Sequence, residues 1–253
     1  MNRSLNSFRA FAFMAVFGFH TAVLGNGYLG VNAFFVLSGF LLIPILRQTK
    51  ATTSSAREFC VNFYGRRALR IFPAYYLFLL LIPLFIAIVQ LPLGDLFMKQ
   101  LPWALTYTYD FYHASSAFQR NGMLAHLWSL AVEEQFYIVF PFVVLFASDK
   151  LLKWGFVVLM ALGPVIRGTI WVVADTHLLP FVFREPDVVV YLLPFSHVDA
   201  FVTGGFFAVY LRGYVPTTKL LLSSFAALIA LGLETAKLAT ESWDFASLAT
   251  RCL

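Results

Sequence analysis

From Ile71 to Gln90 the chain runs for twenty residues without a charged side chain. At 1.5 Å of rise per residue, a helix of that length reaches about 30 Å, the thickness of a bilayer's hydrocarbon core. In that solvent every backbone N–H and C=O needs an internal partner, so only helices and closed barrels span. Apolar runs of similar length recur, too long for barrel strands, and predict helices at roughly 5–24, 28–46, 71–90, 126–147, 154–173, 193–211 and 217–238. Composition agrees: of 253 residues, 60% are hydrophobic and 12% charged, which excludes a soluble domain. The expected fold is an all-α, polytopic transmembrane helix bundle of about seven spans.

Charge sets the expected orientation. The stretch 47–70, read as a loop, carries Arg47, Lys50, Arg57, Arg66, Arg67 and Arg70 against Glu58 alone. With that loop in the cytoplasm, Arg3, Arg9, Lys150, Lys153, Arg212 and Lys219 fall there too. Twelve of the eighteen Lys and Arg then lie inside, the positive-inside pattern. The N-terminus is therefore expected to be cytoplasmic, which argues against a seven-helix receptor. The formal charge of +5 arises from membrane-proximal residues, so no nucleic-acid partner is expected. Cys60 and Cys252 make neither a disulfide framework nor a metal site. The apolar stretch after Arg3 lacks a small-residue cleavage site and reads as a retained first span. No internal repeat or matched Gly/Pro interruptions support a repeat-built transporter. The opposite side receives segments 91–125 and 174–192, with Asp95, Asp110, His113, Asp175, His177, Glu185 and Asp187. Solvated loop polarity is the expected role for most of these, a cap over an outward-facing cavity the alternative.

Several polar side chains interrupt the spans, where an ionisable group is a functional hypothesis by default. Arg9 and His20 are eleven residues apart, which returns a helix to within about 20° of the same face some 16 Å further on. Asn32, Ser38 and Gly39 lie on an otherwise apolar second span, where small and polar residues usually serve close packing and interhelical hydrogen bonds. Arg67 and Arg70 share a face if their stretch is helical, and two guanidiniums can hold phosphates; topology and lipid contact are the plainer explanation. The stretch His126–Pro141 places Glu133, Glu134 and Gln135 in a run long enough to span. Adjacent side chains diverge by about 100°, so at most one carboxyl faces a given cavity. Glu133 would lie about 10 Å in, at a depth comparable to His20, where a carboxylate can fix a histidine's tautomer. Asp199 enters the sixth span below His197; His20 and Arg167 are both possible partners. Gly204 and Gly205 suit packing.

Together these stretches resemble the acyltransferase-3 family of integral membrane acyltransferases. The resemblance rests on Arg9 with His20, on Gly30 to Phe40, on Arg67 with Arg70, and on His126, Trp128, Ser129, Leu130, Glu133, Phe136 and Tyr137. Four ordered motifs thus cover residues 5–141, with the Asp199 segment a weaker fifth. This chain departs from the family pattern at Asn6–Ser7, where Asp-Gly is usual, at Asn32, where Asp is usual, and at His197, where Arg is frequent. The resemblance implies one domain over 1–253, C-terminally incomplete against a family core of about ten helices. It also implies a membrane-bound O-acyltransferase, with acyl-CoA (acetyl-CoA first) as co-substrate and no bound cofactor. The acceptor would be a hydroxyl of an exported carbohydrate or lipid-linked glycan. His20 and Glu133 would be catalytic, and Arg9, Arg67 and Arg70 would bind the donor. Asn32, Ser38, Trp128, Glu134, Tyr137 and Asp199 would support the site or the acceptor. The expected location is a bacterial inner (plasma) membrane, in contact with lipid. The alternative is a non-catalytic membrane carrier or interaction protein of the same ancestry.

Overall fold

A computed structural model describes residues 3–20, 29–176, 178 and 183–211. Nine α-helices follow in order among them: α1 (Arg3–His20), α2 (Leu29–Thr52), α3 (Ala56–Val89), α4 (Gly94–Leu105), α5 (Tyr109–Ala114), α6 (Leu127–Phe146), α7 (Asp149–Asp175), α8 (Pro186–Leu192) and α9 (Val198–Tyr210). A 3-10 turn, Pro194–His197, joins the last two. Four of the described helices, α2, α3, α6 and α7, are long and apolar enough to cross a membrane. The α8–α9 pair, bent by 66°, makes a fifth candidate. The span expected at 217–238 lies outside the described residues.

The basic stretch 47–70 is not the loop expected from hydropathy. α2 continues to Thr52 and α3 starts at Ala56, so the connection contracts to three residues. Arginine and lysine are good helix formers, and an apolar window cannot see a helix whose first turns are charged. Ser55 caps α3 by accepting from the Glu58 N–H at 3.2 Å, and Glu58 in return accepts from the Ser54 N–H at 2.8 Å. Thirty-four residues make α3 about 51 Å long. Ser148 caps α7 by the same device, accepting from the Leu151 N–H.

The chain's charges gather the helix ends. Lys50 donates to the carbonyls of Val144 and Ala147 at 2.9 Å, and so satisfies the C-terminus of α6. Arg47 pairs with Asp149 at the start of α7 at 2.8 Å. The basic ends of α2, α3, α6 and α7 therefore share one side of the bundle, as the charge pattern predicts.

Glycines decide how closely the helices approach. A side chain at Gly39 of α2 would collide with the Phe201 carbonyl, and one at Gly204 of α9 with the Val36 carbonyl. Both backbones pass through spaces that only hydrogen fills, the packing device of helices in lipid. Phe201 then stacks on Phe35 and Phe136, with ring centroids 4.9 and 3.8 Å away, tying α2, α9 and α6 together. Gly30 similarly lets the start of α2 reach the Ala12 carbonyl of α1, 2.7 Å from where a Cβ would stand.

At the far end, the segment 91–125 is not solvated loop. α4 and α5 pack across the bundle: Tyr75 of α3 donates to the Ala104 carbonyl at 2.7 Å, and Gln135 of α6 donates to Asp110 and to the Tyr107 carbonyl at 2.8 Å.

Candidate active site

α1, α2, α3 and α6 enclose a cavity of about 1040 Å³. Its wall runs along α2 from Val31 to Thr52 and takes Arg66, Arg67 and Arg70 from α3, Ser129, Glu133 and Tyr137 from α6, and Arg9 and Val16 from α1. Helical spacing makes this possible. Ser38, Leu41, Leu42 and Ile45 recur at three and four residues on α2, as do Ser129, Leu130, Glu133 and Tyr137 on α6.

A charged cluster sits in this wall. Ser38 donates to Oε1 of Glu133 at 2.5 Å, and the Tyr137 hydroxyl donates to the same oxygen. One carboxyl oxygen has two lone pairs, so it receives both hydroxyls, one from α2 and one from its own helix. The Arg67 guanidinium lies with its Cζ 3.1 Å from the centre of the Tyr137 ring. Its Nη2 stands 3.3 Å from Oε1 of Glu134 and 3.9 Å from Oε1 of Glu133. Cation–π stacking and an ion pair thus fix one guanidinium from two directions. Glu133 lines the cavity, while Glu134 is buried behind Arg67 with 5% of its surface exposed. The expectation that only one of the adjacent carboxyls reaches the cavity holds.

Arg67 and Arg70 lie just before the uncharged run that opens at Ile71. They lie eleven and fourteen residues into α3, about 17 and 21 Å from its start. Arg70 is exposed on the cavity wall, as is Arg66, whose Nε donates to its own helix at the Asn62 carbonyl. Arg66 was not singled out by sequence, because neither its spacing nor its surroundings distinguished it from the topology-setting charges beside it. His20 is the last residue of α1; its side chain lies outside the described residues.

The other residues singled out in the sequence form a second polar seam beside the first. His197 is buried at the bend between α8 and α9, with Nε2 2.8 Å from the Tyr191 carbonyl and Nδ1 3.0 Å from the Asn32 amide. A carbonyl can only accept, so the ring donates to Tyr191 through Nε2, while Nδ1 faces Oδ1 of Asn32. Asn32 and His197, the two departures in spans two and six, are therefore each other's partners. Trp128 packs on Tyr191 and His197, at 4.8 and 6.2 Å between ring centroids. Asp199 pairs with Arg167, one of its two possible partners, at 2.8 Å. Gly163 leaves the space that the Asp199 carboxylate occupies.

Two outer residues expected as loop polarity are buried. Asp110 and His113 on α5 are fully inaccessible. Burial pushes the Asp110 carboxyl up to about 7 against the bond from Gln135. Burial, with Arg184 nearby, pushes the His113 imidazole down to about 3. Oδ2 of Asp110 and both ring nitrogens of His113 have no hydrogen-bond partner among the described residues. The density of aromatics from Tyr107 to Tyr112 was the available signal that this segment packs rather than floats.

Residues 2–251 match the Acyltransferase domain family. The O-acetyltransferase OatA of Staphylococcus aureus (strain NCTC 8325 / PS 47) is 32% identical over 158 residues, which cover 58% of this chain and 25% of that protein. The putative peptidoglycan O-acetyltransferase YrhL of Bacillus subtilis (strain 168) is 32% identical over 148 residues, 54% of this chain and 23% of the relative. The peptidoglycan O-acetyltransferase OatA of Listeria monocytogenes is 32% identical over 165 residues, 60% and 25% respectively. The matched stretch thus spans about a quarter of these relatives' length. No solved structure matches the chain.

Proposed function

Because this chain belongs to the acyltransferase-3 family, we propose that the cavity is a site of O-acyl transfer, from acetyl-CoA to a hydroxyl of a peptidoglycan-class glycan. One observation carries the proposal: a single cavity wall holds Arg9, Arg66 and Arg70, with no carboxylate in ion-pair range among the described residues, together with the Glu133 carboxyl held by Ser38 and Tyr137. The arginines suit the phosphates of a coenzyme A. The gathered basic helix ends support entry of that donor from the cytoplasm, at the bacterial inner membrane. The acceptor class comes from the names of the relatives.

Arg9 and His20 stand eleven residues apart on α1, a spacing that returns a helix to nearly the same face. The roughly 16 Å from Arg9 to His20 suits an extended pantetheine arm. There His20 takes the proton of the acceptor hydroxyl as its oxygen attacks the thioester carbonyl. A C–O bond forms, the C–S bond breaks, and the thiolate leaves with that proton as free coenzyme A. An acyl-imidazole on His20 is the two-step version of the same exchange. Glu133, held by Ser38 and Tyr137, orients the histidine or the acceptor.

Membranes carrying the chain, given radiolabelled acetyl-CoA, are expected to label glycan, and His20→Ala is expected to abolish labelling while the protein still inserts. Label that persists in His20→Ala removes His20 from the chemistry. A hydroxylamine-labile label on the protein itself selects the acyl-imidazole route.

A further inference from the structure

We propose that Arg67 is a positioning residue for the carboxylate cluster, and that the donor's phosphates are left to Arg9, Arg66 and Arg70. This divides the Arg67–Arg70 pair, which the sequence treats as one phosphate clamp. The inference rests on the reading of the cavity as an acyl-transfer site and assigns work within it.

The guanidinium of Arg67 is already committed. Its face is on the Tyr137 ring, its Nη2 is on Glu134, and its side chain is only 21% exposed. Among the described residues, Arg67 is the cation within ion-pair range of Glu134, whose side chain is 7% exposed. Turning Arg67 to a phosphate would strand that carboxyl inside the bundle, and an unpaired buried charge is among the costliest things a fold can hold. Arg70 has no such tie. It is exposed on the cavity wall, one turn further along the same face of α3.

The geometry also shows what Arg67 does there. One guanidinium faces two carboxyls, Glu134 behind it and Glu133 at the cavity wall. It presses on the ring of Tyr137, whose hydroxyl, with that of Ser38, occupies Oε1 of Glu133. Oε1 is thereby filled and Oε2 is the oxygen left for chemistry. Arg67 acts on the reaction through Tyr137 and Glu133 without touching substrate.

Steady-state kinetics in nanodiscs, with acetyl-CoA as donor and soluble peptidoglycan fragments as acceptor, separate the two arginines. Arg70→Ala is expected to raise donor KM by roughly tenfold with kcat within about twofold of wild type, the pattern of lost ground-state binding. Arg67→Gln is expected to lower kcat by at least roughly tenfold with donor KM within about twofold. Because that loss comes from an uncompensated carboxyl, adding Glu134→Gln to Arg67→Gln is expected to restore kcat by at least roughly threefold. A phosphate ligand cannot be rescued in that way. A donor KM that rises in Arg67→Gln as in Arg70→Ala, or a double variant no faster than the single, overturns the proposal. If Arg67→Gln fails to insert, the double variant Arg67→Gln with Glu134→Gln, which strands no carboxyl, takes its place, and a donor KM within about twofold of wild type is again expected. A wild-type protein without turnover sinks the transfer reading by itself. Coenzyme A binding then decides the division of labour: weakened in Arg70→Ala and unchanged in Arg67→Gln supports it, and any other pattern, including no binding at all, refutes it.

Discussion

Two arginines meet carboxylates inside this bundle, and they do so differently. Arg167 of α7 meets one, Asp199 of α9, at 2.8 Å, and also donates to the Ser196 carbonyl at 2.9 Å. Charges cancel there, and Gly163 opens the space in which they do so. Arg67 of α3 meets two, Glu133 and Glu134, so two carboxyls share one cation beside a large cavity. The first arrangement needs nothing further and reads as a fastener between helices. The second is unbalanced where a substrate can reach it. In a membrane, where every charge is costly, such an imbalance is what separates a site from a strut.

The comparison breaks most visibly at Glu133. Glu133→Gln keeps the shape but removes the carboxyl at the cavity wall, and is expected to lower kcat by about 10²- to 10⁴-fold with folded yield near wild type. Normal turnover in the amide would make the cluster a second fastener. Arg167→Ala should behave the other way round. It leaves Asp199 without its cation, partly buried, and is expected to cost about 2 kcal/mol in detergent stability while each folded molecule keeps its activity. Removing both partners in Arg167→Ala with Asp199→Ala should recover most of that loss. A selective fall in kcat from Arg167→Ala would mean that the balanced pair also serves the reaction.

A gentler effect separates both pairs from the buried residues of α5. Asp110 and His113 have no ionic partner among the described residues and favour their neutral forms. For Asp110 the folded pKa of about 7 lies above the ordinary 3.8, so its contribution is lost as pH rises through that window. For His113 the folded value of about 3 lies below 6.5, so its contribution is lost as pH falls through that window. Thermal stability is expected to peak between about pH 4 and 6.5, and Asp110→Asn should flatten the alkaline side. An unaltered profile in Asp110→Asn would place the titration elsewhere.

The sequence revealed individual groups better than their partners. Glu133 stood out because a carboxyl in an apolar run demands a reason, and Arg67 with Arg70 because their spacing puts them on one face. The Gly39 and Gly204 seam was legible as small residues in lipid. Ser38 could not be tied to Glu133, 95 residues away, nor Asn32 to His197, 165 residues away, because helical periodicity orders a face without saying which face it meets. Hydropathy misread residues 47–70, since charge at a helix start looks like a loop to an apolar window. It missed the burial of Asp110 for the opposite reason: short helices packed over a bundle leave no long apolar run. The α8–α9 bend was likewise hidden, because the span predicted at 193–211 starts only at Leu193 and omits α8.

The account depends on three cavity arginines holding the donor. Equilibrium binding of coenzyme A to the protein in nanodiscs, wild type against the triple variant Arg9→Gln, Arg66→Gln, Arg70→Gln, tests this directly. The prediction is binding that weakens with salt in the wild type and falls by at least about 100-fold in the triple variant. Equal affinity in the two proteins would put the donor outside this cavity and contradict the account.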